Sequence, residues 1–125
     1  MQDLDVLVDY DTSSLINCEH PIPDCYSGAC SFYSQNSGPI TLITNFYKNV
    51  EVSLICIYPG EQNQPTFIKI NGTRHQLIFS DDEESQYKIS KVQVSFITEK
   101  VICEFIGNES VSVKAIRFYG NKLEG

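Results

Sequence analysis

The side chains best equipped for chemistry fall into a few groups. Cys18, His20, Cys25 and Cys30 follow the pattern Cys-x-His-x4-Cys-x4-Cys. All four are zinc-capable, but the spacing lacks the paired Cys-x2-Cys knuckles of structural zinc sites. Asp9 and Asp11 offer two carboxylates, which with backbone carbonyls would make a weak calcium site. Asp81, Asp82, Glu83 and Glu84 form an acidic run. It reads as a solvated loop or, against a basic partner, as a steering patch. Glycoside hydrolysis needs two carboxyl groups at a set separation across a cleft, which one loop does not supply. The only histidines are His20 and His75, and Gly-x-Ser-x-Gly, His-Glu-x-x-His and phosphate-loop motifs are missing. The expectation is no enzyme, and no cofactor beyond weakly bound calcium.

The cysteines also bear on location. Cys56 is in phase with Val50, Val52 and Leu54, and Cys103 with Val101 and Phe105. Both are expected to face the core, where they form either a Cys56–Cys103 disulfide or two inert thiols. Cys25 and Cys30 flank a short turn and could close it, leaving Cys18 unpaired or paired with one of them. An odd count requires a free thiol or an intermolecular bond. Two glycosylation sequons, at Asn71 and Asn108, fall in predicted turns. Sequons and cysteines together suggest a secreted glycoprotein.

The totals agree with a recognition role. The chain has 125 residues, enough for one domain with its own core, residues 1–125 forming a single module. Net charge is −7, from 9 Lys and Arg against 16 Asp and Glu, which disfavours nucleic acid and anionic membrane surfaces. No segment approaches a membrane span. The N-terminus lacks the basic and apolar parts of a signal peptide, so an excised module of a larger protein is expected.

The elements that must position these groups are strands. Residues 91–98, 100–106 and 111–119 alternate apolar and polar side chains with period two, separated by turns at 98–100 and 107–110. The third has a phase break near Lys114 and Ala115, where a β-bulge would insert one residue. Residues 3–11 read as an acidic first strand, residues 12–24 as irregular, and 31–34, 39–45 and 48–58 as strands, the last of them central. Asn71-Gly72 between apolar runs 66–70 and 73–79 is a strong hairpin signal. Residues 80–86 read as a loop. The sum is all-β: a single antiparallel two-sheet β-sandwich of jelly-roll type, with about nine strands.

Several short pieces resemble the carbohydrate-binding modules of families 6 and 35, which are galactose-binding-like β-sandwiches. They are Val8-Asp9-Tyr10-Asp11, Cys25-Tyr26-Ser27-Gly28-Ala29, Tyr47-Lys48-Asn49-Val50-Glu51-Val52, Thr66-Phe67-Ile68-Lys69-Ile70-Asn71-Gly72, Tyr87 ahead of Val92-Gln93-Val94, and Val113-Lys114-Ala115-Ile116-Arg117-Phe118. The resemblance implies a glycan gripped by loop residues, with Tyr26, Tyr87 and Asn121 near the matching loops and Tyr33 and Tyr119 as further candidates. It also puts Asp9 and Asp11 where such modules collect carboxylates for calcium. The chain departs in having no Trp, and in carrying Ala115 where the last strand usually has Asp. Sugar sites need an aromatic plane for the apolar ring face and polar groups for the hydroxyls. The function expected is therefore a non-catalytic extracellular module binding glycan. The alternative is a cohesin-like protein-docking repeat, similar to those of fungal scaffoldins, binding dockerins of secreted enzymes in a cellulosome. There the same tyrosines would be anchors.

Overall fold

The structure, a computed structural model, describes residues 1–123. Its strands in chain order are β1 (Gln2–Asp3), β2 (Ser14–Ile16), β3 (Phe32–Tyr33), β4 (Ile40–Pro59), β5 (Phe67–Ile70), β6 (Thr73–Gln76), β7 (Ser80–Asp81), β8 (Lys88–Ile106) and β9 (Ser112–Lys122). All pairings are antiparallel. The two long strands belong to both layers of the sandwich. The first half of β4 pairs with β2 and with the second half of β8, which carries β5 and then β6. The second half of β4 lies between the first half of β8 and β9, which carries β1 and β3 on its other edge. The strand expected to be central is so.

The strands pass between layers where pairing jumps from Asn45↔Lys100 to Val50↔Thr98. Residues 46–49 there stand against Glu99 alone. The turn expected at residues 98–100 is thus a bend within one strand. Thr98 Oγ1 accepts from the Lys100 N–H at 3.0 Å and donates to the Lys100 carbonyl at 2.8 Å, satisfying the bend locally. Aromatic rings then bridge the layers. Phe32 meets Phe105 with centroids 6.2 Å apart, and Phe46 meets Phe118 at 5.7 Å.

Two expectations about local structure hold. Asn71 and Gly72 both have positive φ, 47° and 88°, and turn β5 into β6. Register along β9 shifts between Val113 and Ala115, so Lys114 is the extra residue of a bulge. Val113, Ile116 and Phe118 are consequently all fully buried.

Other expectations are corrected. Residues 3–11 are not a continuous strand: Gln2–Asp3 forms a short one, Asp5–Leu7 is a 3-10 turn, and Val8 makes a single antiparallel bridge to Phe46. Asp3 accepts the Asp5 N–H at 2.9 Å, diverting backbone from the ladder. Leu4 and Val8 are buried, whereas Val6 is 69% exposed. Residues 12–24 are not irregular throughout, since they hold β2 and open the helix α1 (Ile22–Ser27). Pro21 and Pro23 suit a helix start, where a missing N–H costs nothing. Gly28 ends the helix at φ 76°, donating its N–H to the Asp24 carbonyl at 3.2 Å. The acidic loop is shorter than expected, because Ser80–Asp81 pairs with Lys88 and Ile89.

No disulfide forms: all five cysteines are free thiols. Cys103 sits in the core, but a second irregularity between Val52 and Leu54 turns Ile55 and Ile57 inward. Cys56 therefore lies on the outer face, away from Cys103. Cys25 is buried inside α1, and burial pushes its thiol up to about 12, while Cys30 is exposed beyond the helix end.

Candidate functional site

Four pieces of chain meet where β4 ends and β9 begins. β4 brings Tyr58 and β9 brings Lys114, Ala115 and Arg117. The end of α1 brings Tyr26, Ser27 and Gly28, and the tip of the β7–β8 hairpin brings Ser85 and Tyr87. They enclose a hollow of about 300 Å3, at the lower end of the range for ligand sites.

Each wall has a local cause. The bulge frees Lys114 from the in–out alternation, and its ammonium stands 4.8 Å from the centroid of the Tyr87 ring. Asp82 shapes the hairpin tip. Its carboxylate accepts from Ser85 Oγ at 2.9 Å and from the Glu84 N–H at 3.3 Å, and its own N–H donates to the Tyr87 carbonyl at 3.1 Å. Gly28 takes φ 76°, a left-handed conformation that favours glycine, and its backbone passes beside Ala115. Tyr26 forms the floor. It is 1% exposed, donates to or accepts from Thr44 Oγ1 at 2.8 Å, and packs against Tyr10 and Phe118.

Behind the hollow, Arg117 Nη2 binds Asp3 and Asp5 at 3.1 Å each. Burial, then the neighbouring Asp3 charge, pushes the Asp5 carboxyl up to about 6 against the pull of Arg117. Asp5 Oδ1 and Arg117 Nε are buried without hydrogen-bond partners among the described residues. Burial likewise raises the Tyr58 phenol, with Cys56, Asp82 and Glu84 adding to it, so this hydroxyl stays neutral at physiological pH.

The hollow offers the half-exposed ring of Tyr87 beside the half-buried Tyr58, a Lys114 ammonium, and the hydroxyls of Ser27 and Ser85. Among the described residues, no carboxylate lines it. The arrangement can stack and hydrogen-bond a small polyhydroxylated ligand; it holds no pair of acids for hydrolysis.

The expected site residues separate. Tyr26 and Tyr87 meet here, although Tyr26 is a buried floor and presents no free plane. Tyr119 is half-buried further along the outer face, in the next hollow. Tyr33 is 56% exposed on β3. Asn121 lies seven positions along β9 from Lys114, roughly 23 Å away at strand spacing, and donates to Glu51 Oε1 at 2.8 Å. Among the acids, Asp81 pairs with Lys88 at 2.7 Å on the surface, Asp82 serves the loop, and Glu83 and Glu84 are exposed. Asp9 accepts the Asp11 N–H at 3.2 Å, a local turn. No three His, Cys, Asp or Glu side chains gather to hold a metal among the described residues. His20 stands 3.9 Å from Asp24 and stacks near Phe32. Both sequon asparagines are exposed, and Asn71 Oδ1 accepts the Ile102 N–H at 2.8 Å. Sequence reasoning missed Tyr58, Lys114 and Arg117. Only the bulge next to Lys114 hinted at one of them.

No known family profile matches the sequence, and no curated protein does. Solved structures do match the fold. The family 32 carbohydrate-binding module of Clostridium perfringens NanJ, in complex with galactose, is 19% identical with a TM-score of 0.62, over 90% of this chain and 97% of that one. The module CpGH89CBM32-5 from Clostridium perfringens, in complex with GalNAc-β-1,3-galactose, is 8% identical with a TM-score of 0.69, over 95% and 100%. A fucose-binding module of Streptococcus pneumoniae is 12% identical with a TM-score of 0.60, over 98% and 100%. The chain therefore has the β-sandwich fold of family 32 carbohydrate-binding modules.

Proposed function

We propose that this chain is a non-catalytic carbohydrate-binding module, and that it holds sugar in the hollow between Tyr58 and Tyr87. The observation that carries the reading is the make-up of that hollow: two accessible tyrosines over a buried third, an ammonium, a guanidinium and hydroxyls, with no carboxylate among the described residues, at one end of a sandwich whose structural likenesses include sugar-bound modules. Tyr87 provides the ring against which the apolar face of a pyranose stacks. Lys114, Ser27 and Ser85 hydrogen-bond its hydroxyls. The exposed sequons suit an extracellular setting. No observation favours the docking alternative.

The test is calorimetric titration with galactose, N-acetylgalactosamine and fucose, alongside a glycan array. Binding that Tyr87→Ala weakens tenfold or more supports the proposal. A full array without a hit, or a hit indifferent to both Tyr87→Ala and Tyr58→Ala, refutes it.

A further inference from the structure

The hollow is not closed at its inner end. Tyr58 also lines a second hollow of about 320 Å3 on the outer face of the β8–β4–β9 layer. Leu54 and Lys91 of that second hollow line a third, of about 610 Å3, which reaches Gln93. Sharing Tyr58, Leu54 and Lys91 as lining residues, the three hollows succeed one another along the outer face as a trough. Its axis follows the strands: Tyr58, Cys56 and Leu54 succeed one another on the outward face of β4, and Leu54 pairs with Tyr119 on β9. From Tyr58 to Leu54 the strand alone covers roughly 13 Å at about 3.3 Å per residue, and the first hollow lies beyond that.

The trough exists because of the two bulges. The one between Val52 and Leu54 sends Ile55 and Ile57 into the core and leaves Cys56, a small side chain, as its floor. The one at Lys114 aligns Arg117 and Tyr119 outward. Half-buried Tyr58 and Tyr119 supply aromatic surface at intervals. Asp82 and Glu84 on one side, with Lys91 and Gln93 near them, supply hydrogen-bonding groups of both charges.

Resting on the sugar reading of the first hollow, we infer that the ligand is a neutral glycan chain of several residues, lying along this trough, rather than a single terminal sugar. Neutrality follows from the mixed lining, where Asp82 and Glu84 stand with Lys91 and Lys114 and no sign predominates, and from the net charge of −7, which opposes a polyanion. Length follows from the continuity of the trough. Each further ring that finds a tyrosine adds contact area without a second loss of translational freedom.

The experiment is titration of the protein with galacto-, manno- and gluco-oligosaccharides of one, two, four and six residues, and with oligogalacturonides of the same lengths. The expected result is affinity rising tenfold or more from monosaccharide to tetrasaccharide in one neutral series, with oligogalacturonides weaker. Tyr119→Ala removes that gain while keeping monosaccharide affinity, which also reports that the variant folds. Gln93→Ala, at an exposed position, lowers hexasaccharide affinity alone. Equal affinity for one and six residues overturns the chain inference and leaves the sugar reading standing. Tighter oligogalacturonide binding overturns neutrality. No binding at any length overturns the chain inference, and the same result across the full glycan array overturns the sugar reading as well.

Discussion

The two halves of β4 make opposite use of the same alternating sequence. From Ile40 to Asn45 it pairs with β8 at constant register, Ile40↔Phe105 through Asn45↔Lys100. Its outward residues join an ordinary polar ladder, with Thr41 opposite Glu104, Glu104 opposite Lys69 and Lys69 opposite Arg74. From Val50 to Pro59 the register slips twice, and β9 slips with it at Lys114. There the outward residues are Cys56, Tyr58, Tyr119 and Lys114, and they outline hollows. Strict alternation builds a wall, and interrupted alternation builds a site. A one-residue slip exchanges faces, so two bulges on neighbouring strands can bring side chains together that no continuous strand would present.

That contrast can be broken at its base by removing what both halves share. Phe118→Ala deletes a fully buried ring that packs on Tyr26 and Phe46. It is expected to cost about 3–5 kcal/mol, read by urea unfolding. A loss under about 1 kcal/mol would mean the layers do not depend on this contact. Next in size is the ion cluster behind the site. Asp5 holds its proton in the folded state up to pH about 6, against 3.8 as its ordinary value. The folded protein binds the extra proton, so stability falls as pH rises from about 4 to 6 and stays lower above that. The loss from this group is on the order of 3 kcal/mol, since each tenfold change in proton affinity is worth about 1.4 kcal/mol. Asp5→Asn should melt higher than the parent at pH 7.5 and show a flatter profile between pH 4 and 6. A steeper profile would reverse the assignment.

A paired substitution sharpens the comparison at the smallest scale. Tyr58→Ala on the interrupted half should weaken sugar binding about tenfold, or about 1.4 kcal/mol. Ile102→Ala on the regular layer, 38% exposed, should leave binding unchanged and stability within about 1 kcal/mol. Equal losses of binding from both would show that the hollows are not the site. The glycine at position 120 gives a structural control. A Cβ there would run into the Glu51 carbonyl, so Gly120→Ala should destabilise the β4–β9 pairing, read as a lowered melting temperature.

Much of the fold was legible because its signals are local. Alternation in residues 111–119 showed both the strand and its bulge, and Asn71-Gly72 showed the hairpin. The site was less legible. Tyr58 ends an expected strand, and Lys114 is marked in the sequence only by the phase break beside it. Their meeting with Tyr87 depends on strands far apart in sequence. Leu4, Val6 and Val8 misled for a related reason: three alternating apolar residues fit a strand, yet Asp3 takes the Asp5 N–H and only Leu4 and Val8 reach the core. Cys56 departs from its phase with Val50 and Val52 because a bulge at residue 53, which leaves no mark in composition, lies between them.

The amino-acid order by itself determined an all-β chain, the Asn71-Gly72 turn and the extra residue at Lys114, because each rests on neighbours a few positions apart. Only the tertiary structure decided that four expected strands are two long ones, that α1 starts at the prolines, that every thiol is free, and that Tyr58, Tyr87 and Lys114 surround one hollow. Those outcomes are set by pairing between residues such as Val50 and Thr98, whose register reflects the packing of the whole core.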